Sequence, residues 1–170
     1  YAEDAISTVA KWLPVVAEDG NNLEARVNMS YAANILCGYT QALINTTSHH
    51  ITAQTMGGLF PGLPHGASLI TIAEEYYTKV KDFCPDVFDK MGEIMGEMPV
   101  KGNPGQSFVN ALTKLMDTTG MRHLPMSEFG ITPDSFDKIA DITVNIVGID
   151  CDRYTLTEAD IIEILKKSYR

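Results

Sequence analysis

The sequence predicts an all-α fold, a multi-helix bundle of about seven helices around one core. Apolar residues recur every three or four positions along most of the chain, and no convincing series of alternating strands appears. Helix-start and helix-stop residues such as Pro85, Gly120 and Thr157 divide this pattern into segments of helical length. The 170 residues suffice for one globular domain and are too few for the usual two, so residues 1–170 are expected to form a single domain.

Three helices are predicted in the first third of the chain. Residues 3–18 form the first, in which Pro14 favours a kink or an early end. Residues 23–45 form the second, and apolar and small residues over most of its circumference are typical of a helix in the centre of a bundle. Residues 47–56 form the third, and the pair Gly57-Gly58 is expected to end it.

The rest of the chain begins with a loop at 59–66, which two prolines and two glycines keep irregular. Further helices are predicted at residues 67–81, 86–95, 104–118, 134–147 and 158–169, the first of them largely buried. Pro85 and Pro104 suit first helical turns, and Thr157 suits the N-cap of the last helix. Residues 150–152 are expected to face solvent.

Composition excludes several classes of partner. The chain carries 22 Asp and Glu against 13 Lys and Arg, a net charge of -9, which disfavours binding to nucleic acid or to an anionic membrane surface. No apolar run approaches the roughly 20 residues of a membrane span, and the N-terminus lacks the pattern of a secretion signal. Cys37, Cys84 and Cys151 lie far apart without a Cys-x-x-Cys pair, so we expect reduced, mostly buried thiols and a cytoplasmic location.

Four histidines are the candidates for metal chemistry. His49 and His50 are adjacent on a predicted helix and project about 100° apart, so they do not easily face one site. His65 lies where the next helix begins, and the positive end of that helix favours the neutral imidazole that a metal ion requires. The residues alone leave two interpretations of His50 and His65 open. The two side chains are either metal ligands or structural residues, in which case His50 is a half-buried polar residue and His65 forms a hydrogen bond that closes the loop. His123 is expected in a solvated turn.

Other catalytic motifs do not occur in the sequence. The glycines at 57, 58, 62 and 66 match neither a phosphate-binding loop nor a dinucleotide fingerprint. Neither a Gly-x-Ser-x-Gly elbow nor a Glu-x-x-His pair is found. Glu74 and Glu75 are adjacent rather than one helical turn apart, so we expect a solvated edge there and not a paired-carboxylate site.

One set of motifs is nevertheless fairly specific in order and spacing. It comprises Asn22-Leu23-Glu24-Ala25-Arg26, then His50, then Gly57-Gly58, and then Leu63-Pro64-His65-Gly66-Ala67. Over nearly its whole length the chain resembles the C-terminal helical domain of the iron-containing (group III) alcohol dehydrogenases. Enzymes of that family hold a catalytic iron, sometimes zinc, in a cleft between this domain and an N-terminal nucleotide-binding domain. One Asp and three His bind the metal.

The resemblance assigns His50 and His65 as two of the metal ligands. The Asp and the remaining His lie upstream in the family, on a helix that this chain does not contain, and neither Asp4 nor Asp19 takes their place. Gln54 stands where many members have another His near the nicotinamide and the substrate. An amide there can form hydrogen bonds with substrate or cofactor but cannot titrate.

The resemblance further implies an oxidoreductase that moves a hydride between NAD or NADP and a small alcohol or aldehyde. The metal acts as a Lewis acid on the substrate oxygen. The nucleotide-binding domain is absent from the chain, which is expected to bind metal weakly and to be inactive alone. Its partners would be the substrate and that N-terminal domain, and homodimerisation stays open.

The alternative is a free-standing helical bundle that binds a protein partner. In that case His50 and His65 are ordinary polar residues. Convergence of the two side chains on one open cleft would favour the enzyme, whereas histidines on opposite surfaces would favour the bundle. A contiguous exposed apolar patch beside that cleft would indicate where the N-terminal part of the enzyme packs.

Overall fold

A computed structural model describes residues 1–150 and 152–170, and all regular secondary structure in these ranges is helical. The predicted all-α fold is therefore confirmed. Cys151, which the sequence places in a solvent-facing segment, lies outside the described residues. Within those ranges, no helix combines the length and the apolar character that crossing a bilayer requires.

The helices fall into two compact units, Tyr1–Asn45 with Cys84–Met121 and Thr46–Phe83 with Arg122–Arg170. Compactness of two parts does not by itself make them separate domains, so a single domain at 1–170 stays a prediction.

The first unit contains α1 (Ala2–Glu18), α2 (Leu23–Tyr31), a π-helix (Ala32–Cys37), α3 (Gly38–Leu43), α6 (Pro85–Ile94) and α7 (Gln106–Thr118). Helix α1 continues through Pro14 and packs against α2, the π-helix and α6. The prediction of an early end at Pro14 is wrong, because tertiary packing holds the helix together despite the hydrogen bond that proline removes.

The segment from α2 to α3 does not lie in the centre of a bundle, contrary to prediction. Its buried residues are Ala25, Ala32 and Leu36. The large apolar side chains at four-residue intervals are each at least half exposed, namely Leu23, Val27, Tyr31, Ile35, Tyr39 and Leu43. Cys37 is exposed as well, so its predicted burial is wrong, and Cys84 is half-buried. Both are free thiols. Ala25, Ala32 and Leu36 mark the covered face of this helical segment.

Helices α6 and α7 approach each other closely at Gly92 and Ser107. The Ser107 hydroxyl donates a hydrogen bond to Asp89 Oδ1 at 2.7 Å. Pro85 stands in the first turn of α6 as predicted. Pro104, however, lies before α7, which begins at Gln106 after Gly105 adopts a φ of 78°. Glycine is suited to that left-handed conformation.

The second unit contains α4 (Ser48–Leu59), α5 (His65–Val80), α8 (Phe136–Asp141), a π-helix (Ile142–Val147) and α9 (Glu158–Ser168). Short 3-10 turns lie at Lys81–Phe83, Met126–Phe129 and Pro133–Ser135. Helix α4 packs on α5, α8 and the π-helix, and α9 packs on α5 and α8. The largest fully buried side chains of this unit include Met56, Ile72, Tyr76, Phe136, Ile139, Ile161 and Leu165.

Two helix ends of the second unit test the sequence signals. Thr157 forms a complete capping box with Asp160 at the start of α9, as predicted. Helix α4, by contrast, runs through Gly57-Gly58 and ends at Leu59, so the prediction of a stop at the glycines is wrong. Glycine weakens a helix without breaking it, and the packing of α4 in this unit outweighs that cost.

Candidate functional site

The candidate site is formed where α4 and α5 meet. His50 is the third residue of α4, and His65 is the first residue of α5. A short loop joins the helices, in which the Leu63 amide donates to the Phe60 carbonyl at 2.9 Å and the Leu63 side chain is buried. The imidazole centroids of His50 and His65 are 4.7 Å apart, with the ring planes at 66°. The two predicted metal ligands therefore converge.

The first turn of α5 is fixed around His65. The Ser68 hydroxyl donates to the His65 carbonyl at 2.7 Å, and the Ser68 amide donates to the Pro64 carbonyl at 3.0 Å. Ser68 itself is fully buried, whereas the His65 side chain is exposed. The backbone of His65 is thus held by a buried anchor while its imidazole stays accessible.

The surroundings of His50 favour its neutral form. Partial burial lowers the pKa of His50, and the nearby imidazole of His65 lowers it further. A neutral imidazole has a free lone pair for a metal ion, whereas an imidazolium has none. His50 is therefore suited electrostatically to bind a metal ion.

His49 points elsewhere, in agreement with the prediction from its adjacency to His50. Its Nε2 donates to the Leu69 carbonyl at 3.0 Å, and its ring packs against Tyr76 and Tyr77. Burial lowers the pKa of His49 to about 4, so the ring is neutral at pH 7. His123 is exposed, in agreement with the predicted solvated turn.

The start of α4 is anchored by residues that the sequence does not identify. Both carboxylate oxygens of Asp152 accept a hydrogen bond from the Ser48 amide, at 3.2 and 3.1 Å. The Ser48 hydroxyl lies 2.8 Å from the Tyr76 hydroxyl, which lies 2.7 Å from that of Tyr154. The sequence predicts a solvent-facing Asp152. In the structure this residue is half-buried, and its carboxylate accepts the hydrogen bond from Ser48. Its distance of 104 residues from Ser48 leaves no local signal for the pairing.

Gln54 lies one helical turn after His50 and is exposed. It borders a pocket of about 310 Å³ whose lining is mostly apolar. The lining residues are Ile51, Gln54, Thr55, Gly58 and Leu59 on α4, with Ile142 and Val147 on the π-helix. The amide of Gln54 therefore stands between the histidine pair and an apolar recess.

Glu74 is not the solvated residue that the sequence suggests. Its carboxylate accepts hydrogen bonds from Arg122 Nε at 3.0 Å and Arg122 Nη2 at 2.8 Å, and Arg170 Nη2 lies 3.7 Å away. The hydrogen bonds from Arg122 lower the pKa of Glu74, and the charges of both arginines add to the effect. This cluster joins α5 to the chain end and is a structural feature of the second unit.

The donor set at the candidate site is a pair of imidazoles. Within residues 1–150 and 152–170, no group of three or more His, Cys, Asp or Glu side chains is placed to hold a metal ion. Two close imidazoles, one of them with a lowered pKa, nonetheless fit a metal as part of a larger ligand set.

Comparison with known proteins gives one family. The model of the family described as "Fe-containing alcohol dehydrogenase family, C-terminal" matches residues 1–169. Similar curated proteins include a 1,3-propanediol dehydrogenase of Klebsiella pneumoniae, 29% identical over 84% of this chain and 37% of that protein. Another is a 1,3-propanediol dehydrogenase of Citrobacter freundii, 25% identical over 99% of this chain and 43% of that protein.

Solved structures share the fold. The crystal structure of a 1,3-propanediol oxidoreductase superposes with a TM-score of 0.87 at 24% identity, over 99% of this chain and 44% of that one. A maleylacetate reductase from Agrobacterium tumefaciens superposes with a TM-score of 0.78 at 19% identity, over the same shares of both chains. The chain thus spans less than half the length of these relatives.

Proposed function

The chain belongs to the iron-containing alcohol dehydrogenase family, as its C-terminal domain, and on that premise we propose that it supplies metal ligands and a substrate-facing wall to an NAD(P)-linked oxidoreductase. The substrates are small alcohols and aldehydes. The observation that carries this proposal is the convergence of His50 and His65, whose ring centroids are 4.7 Å apart. Histidines on opposite surfaces would have favoured an interaction bundle instead.

His50 and His65 are proposed as two ligands of an iron or zinc ion. Support comes from their contact, from the lowered pKa of His50 and from the buried Ser68 that fixes the turn carrying His65. When bound, the metal would supply Lewis acidity toward the substrate oxygen. The role of this chain is to hold the two imidazoles at fixed positions, which reduces the cost of assembling the site.

Gln54 is proposed to contact the substrate or the nicotinamide. Its amide can donate to a carbonyl oxygen and accept from a hydroxyl, so it can orient either an aldehyde or an alcohol. It has no titratable group and so cannot act as a general acid or base at neutral pH. Proton transfer must then use another group or water, and the rate should show no titration from this position. Gly58 would complete the wall beside it.

The rest of the active enzyme is proposed to lie outside these 170 residues. The resemblance to the family implies two further ligands and a nucleotide-binding domain, and the chain spans less than half the length of its relatives. We expect no dehydrogenase activity from the chain by itself. The widely spaced cysteines, with Cys37 and Cys84 free, support a cytoplasmic enzyme.

A second candidate function rests on the exposed apolar residues between Leu23 and Leu43. Such a patch is typical of a protein–protein contact. We propose that it packs against the remainder of the enzyme, so the two candidate functions are compatible.

Metal binding tests the proposed site directly. Calorimetric titration of Zn²⁺ into the chain should give weak binding of one ion, and His50→Ala or His65→Ala should lower the affinity by more than about tenfold, because each removes a ligand. His123→Ala is the matched control, since His123 is exposed elsewhere, and should leave the affinity unchanged. Equal affinity in all variants would remove the histidine pair from the proposal.

An activity assay tests whether the rest of the enzyme, with the further metal ligands and the nucleotide site, is required. The chain loaded with metal, NADH and propanal should show no oxidation of NADH. Turnover above that of a His50→Ala control would contradict the proposal that further ligands and the nucleotide site are required.

A further inference from the structure

The pocket beside Gln54 carries an inference about substrate choice. Its volume of about 310 Å³ exceeds that of a cavity of about 150 Å³ known to bind benzene, and it lies at the lower end of the range for ligand sites. Its walls are mostly the aliphatic side chains of Ile51, Leu59, Ile142 and Val147. A pocket of this size and lining suits a hydrocarbon chain and offers little to a charged group.

Helix geometry aligns the pocket with the histidine pair. His50, Gln54 and Gly58 follow one another at four-residue intervals on α4, so they lie on neighbouring turns of one face. Gln54 supplies a polar amide at the middle position, and Gly58 supplies no side chain at the last. A ligand with its oxygen at Gln54 can therefore extend its carbon chain along Gly58.

Gly58 keeps the pocket open. It lies inside α4, where glycine is less favourable than alanine. A Cβ atom built at Gly58 meets nothing within 4 Å, so the backbone geometry and the neighbouring atoms leave room for a larger residue there. Gly58 is also one of the residues that line the pocket. A larger side chain at position 58 would occupy the volume that a ligand needs.

We propose that this pocket takes the alkyl chain of an unbranched primary alcohol or aldehyde, and that Gly58 determines the length of chain accepted. The inference rests on the proposed function, because it assigns the substrate class of that site. The oxygen end of the ligand lies at Gln54 and the alkyl end lies among Ile51, Leu59, Ile142 and Val147. A short polar diol gains little from this lining.

Methyl NMR of the chain with added 1-hexanol tests the proposal. The methyl signals of Ile51, Leu59, Ile142 and Val147 should shift with saturation, and 1,3-propanediol should shift them far less. Along a series of primary alcohols up to hexanol, each added methylene should strengthen binding by about fourfold. Absence of a saturable shift, or equal binding of hexanol and propanediol, would overturn the proposal.

A pair of adjacent glycines provides the matched variants. Gly58→Leu should weaken hexanol binding at least about tenfold by filling the pocket, and Gly58→Ala should have an intermediate effect. Gly57→Leu is the control, because Gly57 is also helical and a Cβ atom there would meet nothing within 4 Å, but it does not line the pocket. Equal binding in the two leucine variants would overturn the role of Gly58. Circular dichroism verifies that each variant is folded.

The Zn²⁺ titration separates this inference from the proposed function. If the histidine pair binds metal but hexanol does not shift the methyl signals, the subsite is wrong and the metal site stands. If hexanol binds and the histidine variants leave metal affinity unchanged, the pocket exists but does not belong to a metal site, and the substrate assignment fails.

Discussion

At the residue scale, neighbouring side chains of one helical turn have different roles. His49 is buried against Tyr76 and Tyr77 and donates to the Leu69 carbonyl, whereas His50 is half-buried and contacts His65. The buried contacts of His49 hold α4 against α5. The contact between His50 and His65 places two imidazoles at the protein surface. The same helix thus secures the packing and offers the candidate ligands.

The buried His49 should make stability depend on pH. Burial lowers its pKa from 6.5 to about 4 in the folded protein, so below pH 6.5 the unfolded chain takes up a proton that the folded chain does not. The contribution of the neutral His49 ring to the free energy of unfolding is complete above pH 6.5 and is lost as the pH falls toward 4. Urea unfolding should show about 2 kcal/mol less stability at pH 5 than at pH 7.

Substitution identifies the titrating group. His49→Gln should flatten most of this pH dependence, although it lowers stability at neutral pH by removing the ring packing. His123→Gln, at an exposed histidine, should preserve the wild-type dependence. An unchanged slope in His49→Gln would assign the effect to other groups.

Residue motifs make part of the site predictable. The order of family motifs identifies His50 and His65, and the structure brings them together. Glu74 and Asp152 cannot be found in this way, because their partners Arg122 and Ser48 are 48 and 104 residues distant. Such pairs depend on the fold as a whole. Their roles emerge only when distant helices have been placed.

At the scale of helices, the contact between α6 and α7 requires a glycine. A Cβ atom at Gly92 would lie 2.6 Å from the Ser107 Cβ and 2.7 Å from the Phe108 amide nitrogen. Gly92→Ala should therefore destabilise the chain by about 1–3 kcal/mol, the usual effect of overpacking. Gly57→Ala is the matched helical control and should stabilise slightly. Thermal unfolding of the two variants distinguishes them, and equal melting temperatures would contradict this contact.

The start of α4 provides a second prediction at this scale. Asp152 accepts from the Ser48 amide, and its negative charge lies at the positive end of the helix. Asp152→Ala should cost about 1 kcal/mol and increase hydrogen exchange of the first amides of α4. Asp152→Asn retains an acceptor oxygen and should therefore lose less stability than Asp152→Ala. The exposed Asp150→Ala is the control, and a loss equal to that of Asp152→Ala would contradict capping by Asp152.

Helix ends are predictable where a residue acts through its own backbone. Thr157 and Pro85 act locally, by capping and by a fixed φ, and both lie where the sequence predicts them. The predicted boundaries at Gly57-Gly58 and Pro104 differ from the observed ones by a few residues. Glycine inside a helix costs only about 1 kcal/mol, so the packing of α4 decides its end.

At the scale of the whole chain, the burial of the segment from Leu23 to Leu43 is not predictable from sequence. Apolar and small residues on all sides of this helical segment predict that its whole circumference is buried. In the structure, packing covers only the face that carries Ala25, Ala32 and Leu36. Each four-residue step advances the exposed residues about 40° around an α-helix. The wider turn of the π-helix at Ala32–Cys37 reduces this advance, which keeps the apolar side chains nearer one face.

That exposed face should make the chain bind hydrophobic dyes and self-associate. Val27 and Ile35 are 58% and 52% exposed, so replacing both with Glu removes apolar surface without disturbing the packed face. The double variant should keep its helix content, lose roughly half of its dye fluorescence and sediment with less dependence on concentration. Met98→Glu is the control, because Met98 is 76% exposed outside this face and should change little. Unaltered dye binding in the double variant would show that this face is not the main surface through which the chain binds dye and self-associates.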